Sequence, residues 1–308
     1  MADKIMHFPT WIDLKGQDTV PETVHHCVCM VDPLSDGVWR NRNAADVSLI
    51  QTDGVHFGGK AAAGGDNDET LSQGVKVLKF MYAAKVIAKF RMDRCLIFCR
   101  TKLDCDNLER FFTSLGGGPR QSATPHPPPH QYSCVCLHSD RSPQERKVNL
   151  QRFKDQQVRI MICTDVAARG IDINGLPHVI NVTLPDEKSN YIHRIGRVGR
   201  AERMGLAVSL CATVPEKVWY HTCPSKGKNC SNTRLVPEGG CCIWYTEKTY
   251  LAEIEEHLGE TIQIVDNTFN VPIDEFQGKV VYGRKLNHNK TNLYSGHVGQ
   301  TAPIVKSL

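Results

Sequence analysis

The chain lacks any apolar run long enough to span a bilayer. Its most hydrophobic helical stretch, Val75 to Phe90, is interrupted by Lys76, Lys79, Lys85 and Lys89. Its first residues, MADKIMHFPTW, lack the continuous apolar core of a secretory leader. No internal repeat recurs, and no charge of one sign dominates, the net charge over 308 residues being +4. With 41% hydrophobic and 23% charged residues, collagen-like, coiled-coil and wholly disordered chains are excluded. A closed disulfide framework is also missing, because thirteen cysteines would leave one thiol over. Cys95, Cys99, Cys134, Cys136 and Cys163 sit in apolar strand-like runs, where a thiol behaves as a small hydrophobe. The expectation is a reducing compartment, nucleus and cytoplasm, with no membrane partner.

What is present divides into three parts. Residues 1–68 read as an irregular segment, with TVHHCVCMV (Thr23 to Val31) as one candidate strand and a glycine-containing linker around Gly58, Gly59, Gly64 and Gly65. Residues 69–215 alternate short apolar runs with helical patterns. The runs are CLIFC (95–99), SCVCL (133–137), RIMIC (159–163), HVINV (178–182) and LAVSLCA (206–212). Continuous apolar runs separated by helices predict parallel strands buried on both faces, an α/β sheet with helices on both sides. Residues 116–130, GGGPRQSATPHPPPH, read as an inserted loop. Residues 216–308 read as an irregular C-terminal extension, with CCIWY as a candidate strand and a helix over 246–258 whose N-cap is Thr246.

Three segments concentrate chemistry just after a predicted strand or at a predicted helix. Thr164 to Ile173 gathers two acids, an arginine and a glycine where the RIMIC run ends, and in open α/β sheets ligands bind outside the carboxyl ends of strands. His193 to Arg200 places Arg194, Arg197 and Arg200 at spacing three with two glycines between them. Arginines near one face suit phosphate, because the guanidinium fork matches its oxygens, although such spacing also describes a solvated helix face. Phe98 to Lys102 is a strand end followed by small polar and basic groups.

In order, FCRTK, TDVAARGID and YIHRIGRVGR resemble motifs IV, V and VI of DEAD-box (superfamily 2) ATP-dependent RNA helicases, over about residues 75 to 215. The flanks KIMHFPTWIDLKG, AERMGLAVSLCAT and EIEEHL resemble the SPRY-domain-containing branch of that family. The resemblance implies a RecA-like fold, the helicase C-terminal half. The sequence contains no GxxxxGK[ST] phosphate loop, no DEAD tetrapeptide and no SAT motif ahead of motif IV. The expected activity is therefore ATP hydrolysis coupled to RNA remodelling in the complete protein, with this chain inactive alone.

The family's roles carry over residue by residue. Arg197 and Arg200 would reach the ATP phosphates, Arg200 as the arginine finger, and Asp172 would hold the ribose. His193 and Arg169 would couple to the missing first RecA-like domain. ATP with Mg2+ would be shared with that domain. Thr164, Gly170, Thr101, Arg146 and Ser139 would meet the RNA sugar-phosphate backbone, with Pro143 standing where the family's QxxR element has glutamine. Such contacts carry no base information, so binding would be sequence-independent, to single-stranded or duplex RNA. Residues 141–203 hold twelve Arg/Lys against seven Asp/Glu, a local basic excess consistent with RNA. RNA-processing complexes are further expected partners. The competing readings are a non-catalytic RNA- or protein-binding module derived from a helicase half, and a DNA-directed motor, which the form of motifs V and VI disfavours. No metal is assigned. His221, Cys223, Cys230 and Cys241, with Cys242 beside them, form only a weak candidate zinc set, since they lack a CxxC knuckle and buried thiols are the plainer reading.

Overall fold

The computed structural model describes residues 20–21, 23–56, 65–117, 129–169, 171, 173, 175–199, 204–225, 227, 229–271 and 282. Seven strands form one parallel sheet: β1 (Val24–Val31), β2 (Cys95–Phe98), β3 (Cys134–Leu137), β4 (Ile160–Cys163), β5 (His178–Asn181), β6 (Gly205–Ala212) and β9 (Gln263–Val265), in the order β3-β4-β2-β5-β6-β1-β9. Two further strands, β7 (Glu216–Trp219) and β8 (Cys242–Tyr245), make a separate antiparallel pair.

The helices are α1 (Ala45–Ser48), α2 (Asp68–Phe90), α3 (Lys102–Phe112), α4 (Pro143–Lys154), α5 (Asp165–Ala168), α6 (Lys188–Ile195) and α7 (Glu247–Leu258). Because strand side chains alternate faces, each run feeds two cores. Cys95 and Ile97 pack on the side of α2 and α3 with Leu78, Ile87, Leu108 and Phe111. Leu96 and Phe98 pack on the other side with Phe153 of α4, Tyr191 and Ile195 of α6, and Leu251 and Ile254 of α7. The five apolar runs are therefore strands buried on both faces, as their unbroken character predicts. The five strand-run cysteines are fully buried in these layers. Among the described residues no helix is long and apolar enough to cross a membrane.

The expected boundaries at 68/69 and 215/216 do not bound the sheet. β1 precedes the first and pairs along its whole length with β6, from Val24 opposite Gly205 to Val31 opposite Ala212. β9 follows the second and pairs with β1. Residues 37–40 form a short 3-10 turn whose Trp39 is buried against α2. A Cβ on Gly74 would lie 2.6 Å from the Trp39 ring, so the helix keeps a glycine at that contact. The segment before residue 69 thus supplies, at its candidate strand, an interior strand of the sheet, together with a packing tryptophan. Gly58, Gly59 and Gly64 of the expected linker, and residues 118–128 of the expected inserted loop, lie outside the described residues. The helix expected over 246–258 forms as Glu247–Leu258, but Thr246 makes no side-chain cap.

Candidate functional site

The sheet brings the separate motifs to one row. Leu137 of β3 lies opposite Cys163 of β4, Cys163 opposite Phe98 of β2, and Phe98 opposite Asn181 of β5. The segments that leave this row are 138–140, Thr164 onward, 99–102 and the turn into α6. Parallel pairing forces all four carboxyl ends to the same edge, where an open α/β sheet binds ligands.

Motifs V and VI are locked together there by one ion pair. Arg194 donates from Nε and Nη2 to the two carboxylate oxygens of Asp165, at 2.6 and 2.7 Å, and from Nη1 to the Thr183 carbonyl at 2.6 Å. Its guanidinium lies 5.1 Å from the Phe98 ring centroid, and only 2% of its side chain is exposed. The expectation that Arg194, Arg197 and Arg200 share one phosphate-facing side is therefore corrected. Arg194 lies on the α6 face that carries Tyr191 and Ile195, at helical spacing, and points inward. Arg197 comes after the Gly196 C-cap, beyond the helix. Its guanidinium donates to the carbonyls of Ile171 at 3.0 Å and Ala168 at 3.3 Å, gripping the motif V loop. The close approach permitted by Gly199, with φ of +61°, is to this chain's own Thr23: a Cβ would lie 2.7 Å from its carbonyl oxygen.

Arg200, Asp172 and Gly170 lie outside the described residues. His193 and Arg169 are exposed, and Arg169 donates to Asn190 Oδ1 at 2.9 Å. Thr164 is buried at the head of α5 without a side-chain cap bond. Thr101 caps α3: its hydroxyl accepts from the Asp104 amide at 3.1 Å, while Asp104 accepts in return from the Thr101 amide at 3.2 Å. Its polar groups thus order α3 rather than standing free. Ser139 is exposed just past β3, and Arg146 is half-buried on α4 with its Nε lacking a hydrogen-bond partner. Beside Ser139, His138 Nε2 lies 3.0 Å from Asp106, which also accepts from Arg141 at 2.7 Å. The Asp106 hydrogen bond, with Cys136 beside it, raises the His138 pKa to about 9.

The family described as "Helicase conserved C-terminal domain" matches residues 78–202, which hold all three motifs. The ATP-dependent RNA helicase Ddx1 of Drosophila virilis is 51% identical over 326 residues, covering 99% of this chain and 75% of that protein. This chain belongs to the DEAD-box RNA helicase family. It is the helicase C-terminal domain of that family with segments before and after it. The ATP-dependent RNA helicase Ddx1 of Drosophila melanogaster is 58% identical over 310 residues, all of this chain but 40% of the relative, so the chain spans well under half of that relative's length. Among solved structures, a DEAD box protein from Methanococcus jannaschii is 26% identical with a TM-score of 0.42, over 61% of this chain and 38% of that one.

Two groups of the helicase domain escaped the sequence reading. Lys76 and Lys79, which interrupt the apolar stretch of α2, are buried rather than solvated. Lys76 pairs with Asp53 at 2.7 Å and Glu216 at 3.2 Å; Lys79 pairs with Glu216 and Glu247, both at 2.8 Å. Glu247 also accepts from the amides of Leu184 at 2.8 Å and Ala212 at 2.7 Å, just past β5 and at the end of β6. The inward Arg194 did leave a signal, since a lone cation three residues from Tyr191 and next to Ile195 shares their apolar face. The lysine network left none, because Glu216, the carboxylate both lysines share, is about 140 residues away along the chain. The candidate zinc set converges, with ligand atoms of His221, Cys223, Cys230 and Cys241 all within 4.8 Å of one another; Cys242, on β8, is not among them.

Proposed function

We propose that this domain is the second RecA-like half of an ATP-dependent RNA helicase, acting with ATP and Mg2+ in a cleft shared with a first RecA-like half. The observation that carries the reading is the single row of strand ends from which motifs IV, V and VI emerge, with Arg194 and Asp165 fixing VI against V. Arg200 serves as the arginine finger, stabilising charge on the transferring phosphoryl group, and Arg197 and Asp172 hold the nucleotide. To meet a phosphate, Arg197 gives up its grip on the carbonyls of 168 and 171, which makes the motif V loop responsive to nucleotide. Exposed His193 and Arg169 face the first half. Ser139, Thr164, Gly170 and Arg146 meet the RNA backbone, and Thr101 contributes by setting the start of α3. Such binding is salt-sensitive and indifferent to base sequence.

The test uses the purified chain and a longer polypeptide that includes the first half. Alone, the chain should bind single-stranded RNA weakly, losing affinity steeply with salt, and should show no RNA-stimulated ATPase, since it lacks phosphate-loop and DEAD sequences. In the longer polypeptide, Arg200→Ala should lower kcat by about 10³- to 10⁵-fold. Arg200→Lys should not restore it, since lysine lacks the planar fork, and Arg203→Ala should be tolerated. ATPase activity of the chain alone, or equal rates for wild type and Arg200→Ala, overturns the reading. Tight, salt-insensitive, sequence-selective RNA binding would favour a non-catalytic binding module instead.

A further inference from the structure

The connection between β7 and β8 spans residues 220–241, and its described residues contain one short 3-10 turn, Val236–Glu238. It carries little of the apolar burial that holds the sheet; Tyr220 is 59% exposed and no residue of that 3-10 turn is buried. Something other than a hydrophobic core must hold so long a connection in one conformation. The side chains that converge inside it are His221, Cys223, Cys230 and Cys241, whose ligand atoms lie within 4.8 Å of one another. A tetrahedral zinc centre with Zn–S bonds near 2.3 Å needs neighbouring ligand atoms about 3.8 Å apart. The four therefore stand within about 1 Å of that arrangement before any metal is considered.

The backbone is bent to produce this. His221 and Asn229 adopt left-handed conformations, with φ of 52° and 53°, which only Gly and a few polar residues take readily. Gly227 has φ of +88°, and a Cβ there would lie 2.7 Å from the His221 ring. The Gly227 amide donates to Cys223 Sγ at 3.4 Å, the kind of contact that orients a sulfur ligand. The His221 ring is stacked on Trp219 at 4.7 Å and 10°, which fixes its plane. Its Nδ1 is buried without a hydrogen-bond partner. That is costly for an imidazole unless something else engages it.

We propose that His221, Cys223, Cys230 and Cys241 form a structural zinc site that closes the β7–β8 connection. Three thiolates and one imidazole favour zinc over the hard, oxygen-preferring Mg2+ and Ca2+. Three thiolates around a divalent ion leave one negative charge, and the Arg100 guanidinium, which acts electrostatically on His221, partly offsets it. Arg100 also donates to the Trp219 carbonyl at 2.5 Å, tying the site to the residue that follows β2 and Cys99. The one other cluster of this kind among the described residues, Asp106, Cys136 and His138, is different in character. Its aspartate is already paired with His138 and Arg141, and it offers three groups rather than four.

The experiment is metal analysis of the full 308-residue chain, purified under reducing conditions from zinc-supplemented cells. About one zinc per chain is expected, falling at least about tenfold in a Cys230→Ser/Cys241→Ser variant. Since that variant could misfold, wild type is also stripped with a chelator and titrated with Co2+. Thiolate-to-cobalt charge-transfer absorption and the strong visible bands of a tetrahedral site should saturate at one equivalent and be reversed by one equivalent of Zn2+. Cys136→Ser should leave both readouts unchanged. Zinc-free wild type that gives no cobalt spectrum, or zinc retained at full stoichiometry in the double variant, overturns the proposal.

Discussion

Two buried ion-pair centres support this domain, and they use opposite designs. At the motif edge, Arg194 and Asp165 form one bidentate pair in which the arginine is 2% exposed and the aspartate 25%. Beneath the β7–β8 hairpin, two lysines meet three carboxylates, Asp53, Glu216 and Glu247, none of whose side chains exceeds 9% exposure. The planar fork of arginine fixes an angle between two segments, which suits the junction of motifs V and VI. Ammonium groups act as compact charges that several carboxylates can share. The lysine network thereby joins α2, β7, α7 and the loop at Asp53 without a demanding geometry. One centre sets an orientation and the other holds pieces together.

The largest expected effect is at the network's hub. Glu216→Ala leaves Lys76 and Lys79 short of a buried counter-charge and should lower folding stability by about 3–5 kcal/mol. Urea unfolding of the whole chain measures it; a loss below about 1 kcal/mol would mean the network does not hold the hairpin to α2.

Breaking the motif pair should cost less, because Asp165 can regain water. Arg194→Ala should lower stability by about 2–3 kcal/mol, with Arg194→Lys recovering only part of it. A double-mutant cycle sharpens the contrast between the centres. Arg194→Ala with Asp165→Ala should deviate from additivity by at least about 1 kcal/mol, whereas Arg194→Ala with Glu216→Ala should add within about 0.5 kcal/mol. Strong coupling across the second pair would merge the two centres into one.

The smallest effect is a pH dependence. Burial first, and then the Lys76 charge, lower the His56 pKa from 6.5 to about 4, against the opposing pull of Glu69. The folded state therefore binds fewer protons than the unfolded state between those values, so stability is full above about 6.5 and is lost as pH falls towards about 4. His178, lowered to about 4 by burial, adds to the same window. Glu216 follows at lower pH. Burial raises its pKa, but Lys79 and Lys76 outweigh that and hold it at about 2, so its contribution is lost as pH falls from 4.5. His56→Gln should flatten the decline between pH 7 and 4.5 when melting temperatures are compared with wild type. An unchanged decline would mean that His56 does not titrate against the network.

Much of the fold was readable because buried parallel strands announce themselves as unbroken apolar runs. CLIFC, RIMIC and HVINV are β2, β4 and β5. The strand at 24–31 was readable as a strand but not as part of this sheet. Its partners, β6 and β9, begin about 180 and 240 residues later in the chain, and no local pattern encodes which strands pair. The short β9, QIV, with two of its three residues exposed, offers too little apolar signal to stand out from a loop. At the candidate site, motifs IV, V and VI were readable as text, yet Arg194, Arg197 and Thr101 proved to be engaged within the domain.

By itself the sequence determined the family, the alternation of strands and helices, and the residue types that meet at the carboxyl edge. These depend on local periodicity and on short motifs, which a linear chain records completely. Only the tertiary structure decided which cations lie inside. A lysine on α2 becomes an interior ion only when Glu216, far along the chain, arrives beside it, and the energy of that meeting depends on distance and burial. The convergence of His221 with Cys223, Cys230 and Cys241 is of the same kind: the sequence offers the residue types without a CxxC spacing, and left-handed turns and the stacking on Trp219 accompany their meeting.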